Sequence, residues 1–301
     1  MDIGEVFGAL TERIKDVRRD ESMAAHTSFK VGGCADIMVL PSKPDEVQHA
    51  ILTARKYDVP MFVMGRGTNL LVTSKGIRGI VLKLADNFSD VQIDGQSVIA
   101  LSGTPLAELV NAAMDKGLGG VEFLGGIPGT LGGAVCMNAG AYGGEIGNFV
   151  EEVYLSTWAG EMTLSHHEMG FGYRRSILSH IPLVVTGARL KLAACCIEES
   201  KEKLCTLNEK RRTKQPLEYP SAGSTFKRPE GNYAGTLIEQ TGLKGFCIGG
   251  AEVSEKHAGF VINKGGASAE DIIALIEAVQ TRVKEACGIM LEPEVKIVGE
   301  R

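Results

Sequence analysis

Gly125-Gly-Ile-Pro-Gly-Thr-Leu-Gly-Gly133, running on to Asn138-Ala-Gly-Ala-Tyr142, decides how this chain is read. Between residues 117 and 147 there are twelve glycines and a single proline, Pro128. A flexible linker of that glycine content is polar and serine-rich. Here Val121, Phe123, Leu124, Ile127, Leu131 and Val135 are interleaved with the glycines, so the segment is suited to packing. Glycine lets backbone approach a neighbour more closely than a Cβ allows. Glycine pairs flanking a short apolar turn of helix let a cofactor's phosphates and planar ring lie against the main chain. The competing reading is a crowded helix–sheet contact, against which the polar Thr130 and Asn138 weigh modestly.

A second glycine segment, Gly65-Arg-Gly-Thr-Asn-Leu70, follows a strand expected at residues 61–64. It begins as a dinucleotide-binding G-x-G, but the third glycine is missing and Leu71-Val-Thr-Ser-Lys-Gly76 continues as strand and turn. A Rossmann site needs a helix there, because the N–H groups of its first turn hold the pyrophosphate. A loop whose own N–H groups form an anion nest fits better, with Thr68 and Asn69 as side-chain donors. An ordinary turn between strands is the bland alternative. Together the two segments point to one phosphate-bearing ligand between the first two domains.

Composition narrows the class. The chain has 301 residues, 44% hydrophobic and 23% charged, which describes a globular protein of about two domains' length or more. No apolar run reaches a membrane-spanning length. The first twenty residues are acidic and amphipathic, unlike a signal peptide, so a cytoplasmic location is expected. With 32 Lys and Arg against 37 Asp and Glu, the net charge is −5, and sequence-independent nucleic-acid binding is not expected. Seven cysteines without a C-x-x-C pair suggest reduced thiols and no metal site. Adjacent Cys195 and Cys196 are a faint redox signal; small apolar residues at a strand end explain them more simply.

Periodicity gives an α+β chain of three domains: 1–80, 81–195 and 196–301. In the first, apolar Val6, Phe7, Leu10, Ile14 and Val17 predict a helix over 2–19. A strand at 36–40 and a helix opened by Ser42-Lys-Pro-Asp45 follow, with Val47, Ala50, Ile51 and Ala54 as its buried stripe. In the second, short strands at 80–84, 91–93 and 98–101 precede a helix over 105–116. After the glycine segment come strands at 150–157, 162–164 and 183–190. In the third, a charged helix over 196–214 ends in Lys210-Arg-Arg-Thr-Lys214. A helix near 233–241 and strands at 246–248 and 260–263 precede Ser268-Ala-Glu-Asp271. That tetrad resembles a capping box for a helix ending at Gly288, before a final strand over 290–298.

The glycine segments resemble the FAD-binding fold of the vanillyl-alcohol-oxidase type. A closer resemblance rests on six ordered motifs. They are Thr27-Ser-Phe-Lys-Val-Gly-Gly33, Gly65-Arg-Gly-Thr-Asn-Leu-Leu71, Gly126-Ile-Pro-Gly-Thr-Leu-Gly-Gly133, Gly172-Tyr-Arg-Arg-Ser176, Ser221-Ala-Gly-Ser-Thr-Phe-Lys227 and Leu291-Glu-Pro-Glu-Val295. This chain is similar to the UDP-N-acetylenolpyruvoylglucosamine reductase (MurB) family along nearly its whole length. The resemblance implies FAD, non-covalently bound between the first two α/β domains, and a third α+β domain for substrate. Only residues 176–181 separate the Gly-Tyr-Arg motif from the strand expected to begin at Pro182 and Leu183. That spacing is similar to the shorter, type II form, which lacks the inserted loop and its substrate-covering tyrosine.

The resemblance further implies that NADPH reduces FAD and that the flavin then reduces the enolpyruvyl group of a UDP-sugar in peptidoglycan precursor synthesis. Gly65, Arg66, Gly67, Thr68, Asn69, Leu70, Gly126, Ile127, Pro128, Gly129, Thr130, Gly132, Gly133 and Asn138 are the implied cofactor residues. Arg174 would stabilise charge developing on the substrate carboxylate, being always charged and bidentate. Ser224 would donate a proton, and Glu294 matches the family's acidic position, with Glu292 its rival from strand alternation. Tyr173, Lys214, Arg228 and His257 are the implied substrate contacts; Arg228 stands where many relatives have asparagine. Two other readings are an FAD-linked oxidase of a hydroxy acid or sugar and a non-catalytic nucleotide-sugar-binding module. Arg174, Ser224 and Glu294 together count against the binding module, which needs no proton donor.

Overall fold

The computed structural model describes residues 2–179, 181 and 183–300. Its contacts divide the chain into two compact units. One contains Met1–Arg19, Ile37–Arg66 and Gly79–Lys210; the other contains Asp20–Asp36, Gly67–Arg78 and Arg211–Arg301.

The first unit has two apolar cores. One lies under α1 (Ile3–Thr11) and α2 (Pro44–Lys56), and the stripe Val47, Ala50, Ile51 and Ala54 is buried as the periodicity predicts. Pro44, Asp45 and Glu46 open α2 and Arg55 and Lys56 close it, so charge follows the helix dipole at both ends. Strand Met61–Met64 runs parallel to Ile77–Lys83, pairing Met61 with Ile80 and Met64 with Lys83. The helix expected over 2–19 stops at Thr11, and Val17–Ser22 is a strand. Ile14 is buried in the turn after the helix, at a position that also satisfies the helical period. Periodicity alone therefore carried the expectation past the real end.

The other core of this unit lies on a five-stranded antiparallel sheet. Its spatial order is Gly160–Ser165, Val150–Thr157, Val184–Lys191, Ser97–Leu101 and Val91–Asp94. Alternate residues Val98 and Ala100, Val153 and Leu155, and Ala188 and Leu190 enter the core, as a pleated strand requires. The helices α3 (Leu106–Asp115) and α4 (Leu131–Met137) contribute Leu106, Leu109, Val110, Leu131, Ala134 and Val135 to it. A four-residue helix, α5 (His166–Met169), follows the sheet's outer hairpin. The strand expected from 183 begins at Val184, and Pro182 lies outside the described residues. The charged helix α6 (Ile197–Lys214) has Ser200 as its buried residue and packs Leu204 and Leu207 against the core.

In the second unit, α7 (Ala234–Gln240) and α8 (Ala269–Cys287) share a core with Phe29, Val31 and Leu71. Strands Cys247–Ile248, Ala251–Val253 and Val261–Asn263 form an antiparallel sheet. The middle strand was not anticipated; three residues buried on both faces carry no alternation to read. The final strand is Lys296–Val298, shorter than expected. Pro293 has no N–H to donate, and before Lys296 the chain pairs with Phe226 through an isolated bridge at Pro293. Lys296–Val298 pairs in parallel with Leu70–Val72.

The capping box of α8 is formed as read. The Ser268 hydroxyl accepts from the Asp271 N–H at 3.0 Å, and the Asp271 carboxylate accepts from the Ser268 N–H at 2.9 Å. Gly288 ends the helix at φ 72°. Replacing Ser268 by alanine is expected to cost about 1 kcal/mol of stability, measured by urea unfolding; an unchanged midpoint would show the cap to be dispensable.

Candidate active site

Within the first unit the two glycine segments are backed against each other. Gly65 lies so close to Thr130 that a Cβ on it would collide with the Thr130 hydroxyl. The segment is pinned from behind: Leu131 N–H donates to Thr104 O at 2.9 Å, and Gly132 N–H to Ser102 O at 2.8 Å. A Cβ on Gly132 would stand 2.8 Å from Ser102 Cβ, so this glycine serves the crowded contact with its own protein. Gly133 differs. It is exposed, and a Cβ there would meet only the Thr130 hydroxyl, at 3.7 Å. Gly126, Ile127 and Gly129 are half-buried and Pro128 is exposed. Gly129 N–H donates to Ile127 O at 2.8 Å, which folds the Ile-Pro-Gly turn tightly.

Upstream, the buried Glu122 carboxylate fixes the approach to this segment. It accepts from Gly120 N–H at 2.9 Å, the Ser200 hydroxyl at 2.8 Å and Lys203 Nζ at 2.8 Å. Burial alone raises such a carboxyl, but Lys203, the Gly120 and Glu122 N–H groups and Ser200 outweigh it and hold Glu122 down at about 2. The glycine loop is thereby tied to α6, a link that nothing in the sequence spacing displays.

Asn138, expected among the cofactor contacts, turns its amide to the protein. At the end of α4 it adopts φ 47°, and it is buried. Its Oδ1 accepts from Gly147 N–H at 2.9 Å, while Nδ2 donates to the Glu145 carboxylate at 2.9 Å and to Gly172 O at 3.0 Å. The last bond holds the Gly172-Tyr-Arg-Arg175 hairpin, closed by reciprocal backbone bonds between Gly172 and Arg175. Arg174 stands in that turn at φ 53°, a left-handed conformation unusual for a residue with a Cβ. It is half-buried; Nη2 donates to Gly140 O at 2.8 Å, and the guanidinium lies 5.0 Å from the exposed Tyr173 ring. Arg66, also expected at the cofactor, forms an ion pair with Asp86 at 2.7 Å on the surface.

The second unit contains residues 67–70 of the Gly65–Leu70 segment, and the expected proton donor and acid. Gly67 takes φ 67° and its carbonyl accepts from Ser28 N–H, while Thr68 is half-buried and Leu70 buried. Asn69 donates through Nδ2 to Glu294 O at 3.1 Å, and its own carbonyl accepts from Lys296 N–H at 3.0 Å. Glu294 N–H donates in turn to Thr225 O at 2.8 Å. Thr225 is fully buried, with its N–H on Gly259 O and its Oγ1 accepting from Val261 N–H. Ser224, exposed, sits on this fixed segment directly after Gly223 at φ 78°. Of the two candidate carboxylates, Glu292 is an exposed partner of Lys227, whereas Glu294 is half-buried.

Lys214 is exposed at the end of α6, where Lys256 Nζ donates to Arg212 O at 2.9 Å. His257 packs edge-on to Phe260, and its Nδ1 accepts from Gly259 N–H at 3.1 Å. Burial lowers its pKa. A neutral ring accepting at Nδ1 carries its proton on Nε2, a defined donor. Arg228 lies over the Tyr233 ring, 4.0 Å from its centroid, and its Nε donates to Asn232 O.

Known proteins identify this assembly of loops. Residues 35–165, which include both glycine segments, match an FAD binding domain family. Residues 215–298 match the C-terminal domain of UDP-N-acetylenolpyruvoylglucosamine reductase. Such a reductase from Caldanaerobacter subterraneus subsp. tengcongensis is 49% identical over 97% of this chain and 99% of its own. The chain belongs to the UDP-N-acetylenolpyruvoylglucosamine reductase family. The relative from Syntrophomonas wolfei is 48% identical over 98% of this chain and 99% of its own. The crystal structure of the Thermus caldophilus family member superposes with a TM-score of 0.80 at 34% identity, covering 94% of this chain and 98% of that one. A 4-ethylphenol oxidase from Gulosibacter chungangensis, at 16% identity and a TM-score of 0.51, shares the fold over 64% of this chain.

The cofactor of this family is FAD, and the first unit fits it. The exposed face at Gly133 has no protein side chain over it that a Cβ would strike. Behind Gly132, the Ser102 hydroxyl is a buried polar group without a hydrogen-bond partner among the described residues. Residues 65 and 126–133 are the backbone that would hold FAD there.

Gly132→Val is therefore expected to destabilise the fold through Ser102, whereas Gly133→Val keeps the melting temperature of the FAD-free protein and weakens FAD retention on gel filtration. Equal FAD retention by Gly133→Val and wild type would sink the assignment of that face. Glu122 adds a pH dependence. Its lowered pKa contributes stability that is full above about 4.5 and is lost as pH falls towards about 2, on the order of 3 kcal/mol in all. The stability gap between wild type and Glu122→Gln, read by urea unfolding, is expected to narrow as pH falls from 5 to 3.

Proposed function

We propose that NADPH is the hydride donor and that Arg174, Ser224 and Glu294 carry the family's reaction in this chain. That reaction is reduction of the enolpyruvyl group of UDP-N-acetylglucosamine enolpyruvate to give UDP-N-acetylmuramate for peptidoglycan synthesis. FAD, when bound, supplies the hydride for one carbon of the double bond. Charge then moves towards the adjacent carboxylate, and the neighbouring carbon requires a proton. Arg174 binds that carboxylate; its bond to Gly140 O and the fixed hairpin turn orient the guanidinium before substrate arrives. Ser224 donates the proton. Serine is a poor acid in water, and it works here because the carbon is strongly basic and the backbone next to Ser224 is held in place by the bonds of Thr225. Glu294 is the acidic partner of this step.

The observation that carries the reading is the bond from Glu294 N–H to Thr225 O. It locks the backbones bearing Ser224 and Glu294 side by side, although 70 residues separate them in sequence. Tyr173, Lys214, Arg228 and His257 are proposed substrate contacts, with Lys214 and Arg228 suited to the diphosphate. Asn69 and Asn138 are proposed to act through the backbone they hold. All seven cysteines are free thiols, which supports the cytoplasm as the compartment. Among the described residues no helix is long and apolar enough to cross a membrane.

Ser224→Ala tests the assignment by stopped-flow absorbance. Reduction of FAD by NADPH is expected to stay near wild type, while reoxidation by the enolpyruvyl substrate falls at least about 10²-fold. Ser221→Ala, on the same segment, is the control. Equal slowing of both half-reactions would mean that the flavin site was disturbed, and Ser224 would lose its role.

A further inference from the structure

Glu145 has no part in the reading above, yet two holds on the Gly172–Arg175 hairpin meet at it. It is half-buried in the second strand of a small hairpin that pairs Gly140–Ala141 with Gly144–Glu145, and it stands directly opposite Gly140. The pairing is close: a Cβ on Gly140 would be 2.9 Å from Glu145 Cγ. One hold runs through this pair, because the Gly140 carbonyl is the group that accepts from Arg174 Nη2 at 2.8 Å. The other runs through the Glu145 carboxylate, which accepts from Asn138 Nδ2 at 2.9 Å. The same amide nitrogen donates to Gly172 O at 3.0 Å, and Asn138 Oδ1 accepts from Gly147 N–H at 2.9 Å. Three bonds therefore fix the plane of a buried amide, and Glu145 supplies the side-chain partner among them.

We propose that Glu145 is a positioning residue for the reaction: through Asn138 and Gly140 it sets the Arg174 guanidinium for the substrate carboxylate. The proposal rests on the role of Arg174 given above. Arg174 takes φ 53°, and a left-handed residue with a Cβ persists only where its surroundings hold it. Glu145 contributes to that hold at both ends, at Gly172 where the hairpin begins and at the Arg174 side chain itself. A carboxylate only accepts, so Glu145 keeps Asn138 Nδ2 turned towards itself and towards Gly172 O, with Oδ1 left for Gly147 N–H. An arginine side chain loses much rotamer freedom when it is fixed. A guanidinium held before substrate arrives therefore binds a carboxylate at lower entropic cost. Behind the hairpin, the buried Ser176 hydroxyl donates to Cys136 O at 2.7 Å, so the segment after Arg175 is fastened independently of Glu145.

The test is calorimetric binding of two ligands to the FAD-loaded enzyme: UDP-N-acetylmuramate, which carries a carboxylate, and UDP-N-acetylglucosamine, which does not. The ratio of the two affinities reads the grip of Arg174 on the carboxylate. Glu145→Ala is expected to lower that ratio about tenfold, with UDP-N-acetylglucosamine bound as by wild type. Glu145→Gln keeps an oxygen that accepts from Asn138 and is expected to recover most of the ratio. Asn138→Asp has no N–H for Gly172 O and is expected to lower the ratio as Glu145→Ala does, which decides the matter should Glu145→Ala not fold. Arg174→Ala is the reference and is expected to remove the preference for the carboxylate. A wild-type ratio in Glu145→Ala or in Asn138→Asp, with the preference lost in Arg174→Ala, overturns the proposal and leaves the role of Arg174 intact. A wild-type ratio in Arg174→Ala defeats the reading of Arg174 itself. Equal weakening of both ligands by Glu145→Ala assigns the residue to general shape and also overturns the proposal.

Discussion

Three residues at one end of the chain, Lys296–Val298, lie in parallel register with Leu70–Val72, and much of the chemistry depends on that pairing. Parallel strands cannot be joined by a tight turn, and the chain between them builds Gly79–Lys210 of the first unit as well as the stretch of the second that begins at Arg211. The register sets Asn69 beside Lys296, and the Asn69 amide then takes the Glu294 carbonyl. From Glu294 the chain of bonds continues to Thr225 and so to Ser224. A shift of register would reverse the faces of this short ladder and move Glu294 away from Ser224.

The second constraint is backbone proximity. At Gly65 and Gly132 the missing Cβ is demanded by neighbouring protein, and at Gly133 the chain leaves its face open. Two polar side chains near these glycines are engaged with the protein: Asn138 with Gly147 and Gly172, Glu122 with Gly120 and α6. A loop that binds through its main chain needs its side chains as internal braces, because glycine provides no packing of its own.

Much of this was legible in sequence. Strand 150–157, α8 with its capping box, and the buried stripe of α2 follow from period and caps, and the paired glycine segments announced a cofactor. What was not legible is non-local. No pattern at Glu122 reveals that its partners are Ser200 and Lys203, some eighty residues away. Asn69 and Asn138 read as ligand donors because a polar residue in a glycine loop has no other local purpose. Their partners, Glu294 and Gly172, are joined to them only by the fold. The shortened final strand was legible in principle, since Pro293 sits in the middle of the expected run.

The composition of α6 bears on how the protein opens. Its buried residue is Ser200, and Leu204 and Leu207 only partly enter the core, so burial holds its first half and little of its second. Eighteen residues of helix extend about 27 Å, and the Lys203–Glu122 pair secures them near the first end. Beyond Leu207 no residue of the helix is fully buried, and Lys256 Nζ donates to the Arg212 carbonyl. Amide hydrogens are expected to exchange slowly around the buried Ser200. The lysine proposed to meet the substrate's phosphates thus stands on an exposed last turn, where a bound anion would add its own charge to the contacts that order the helix end.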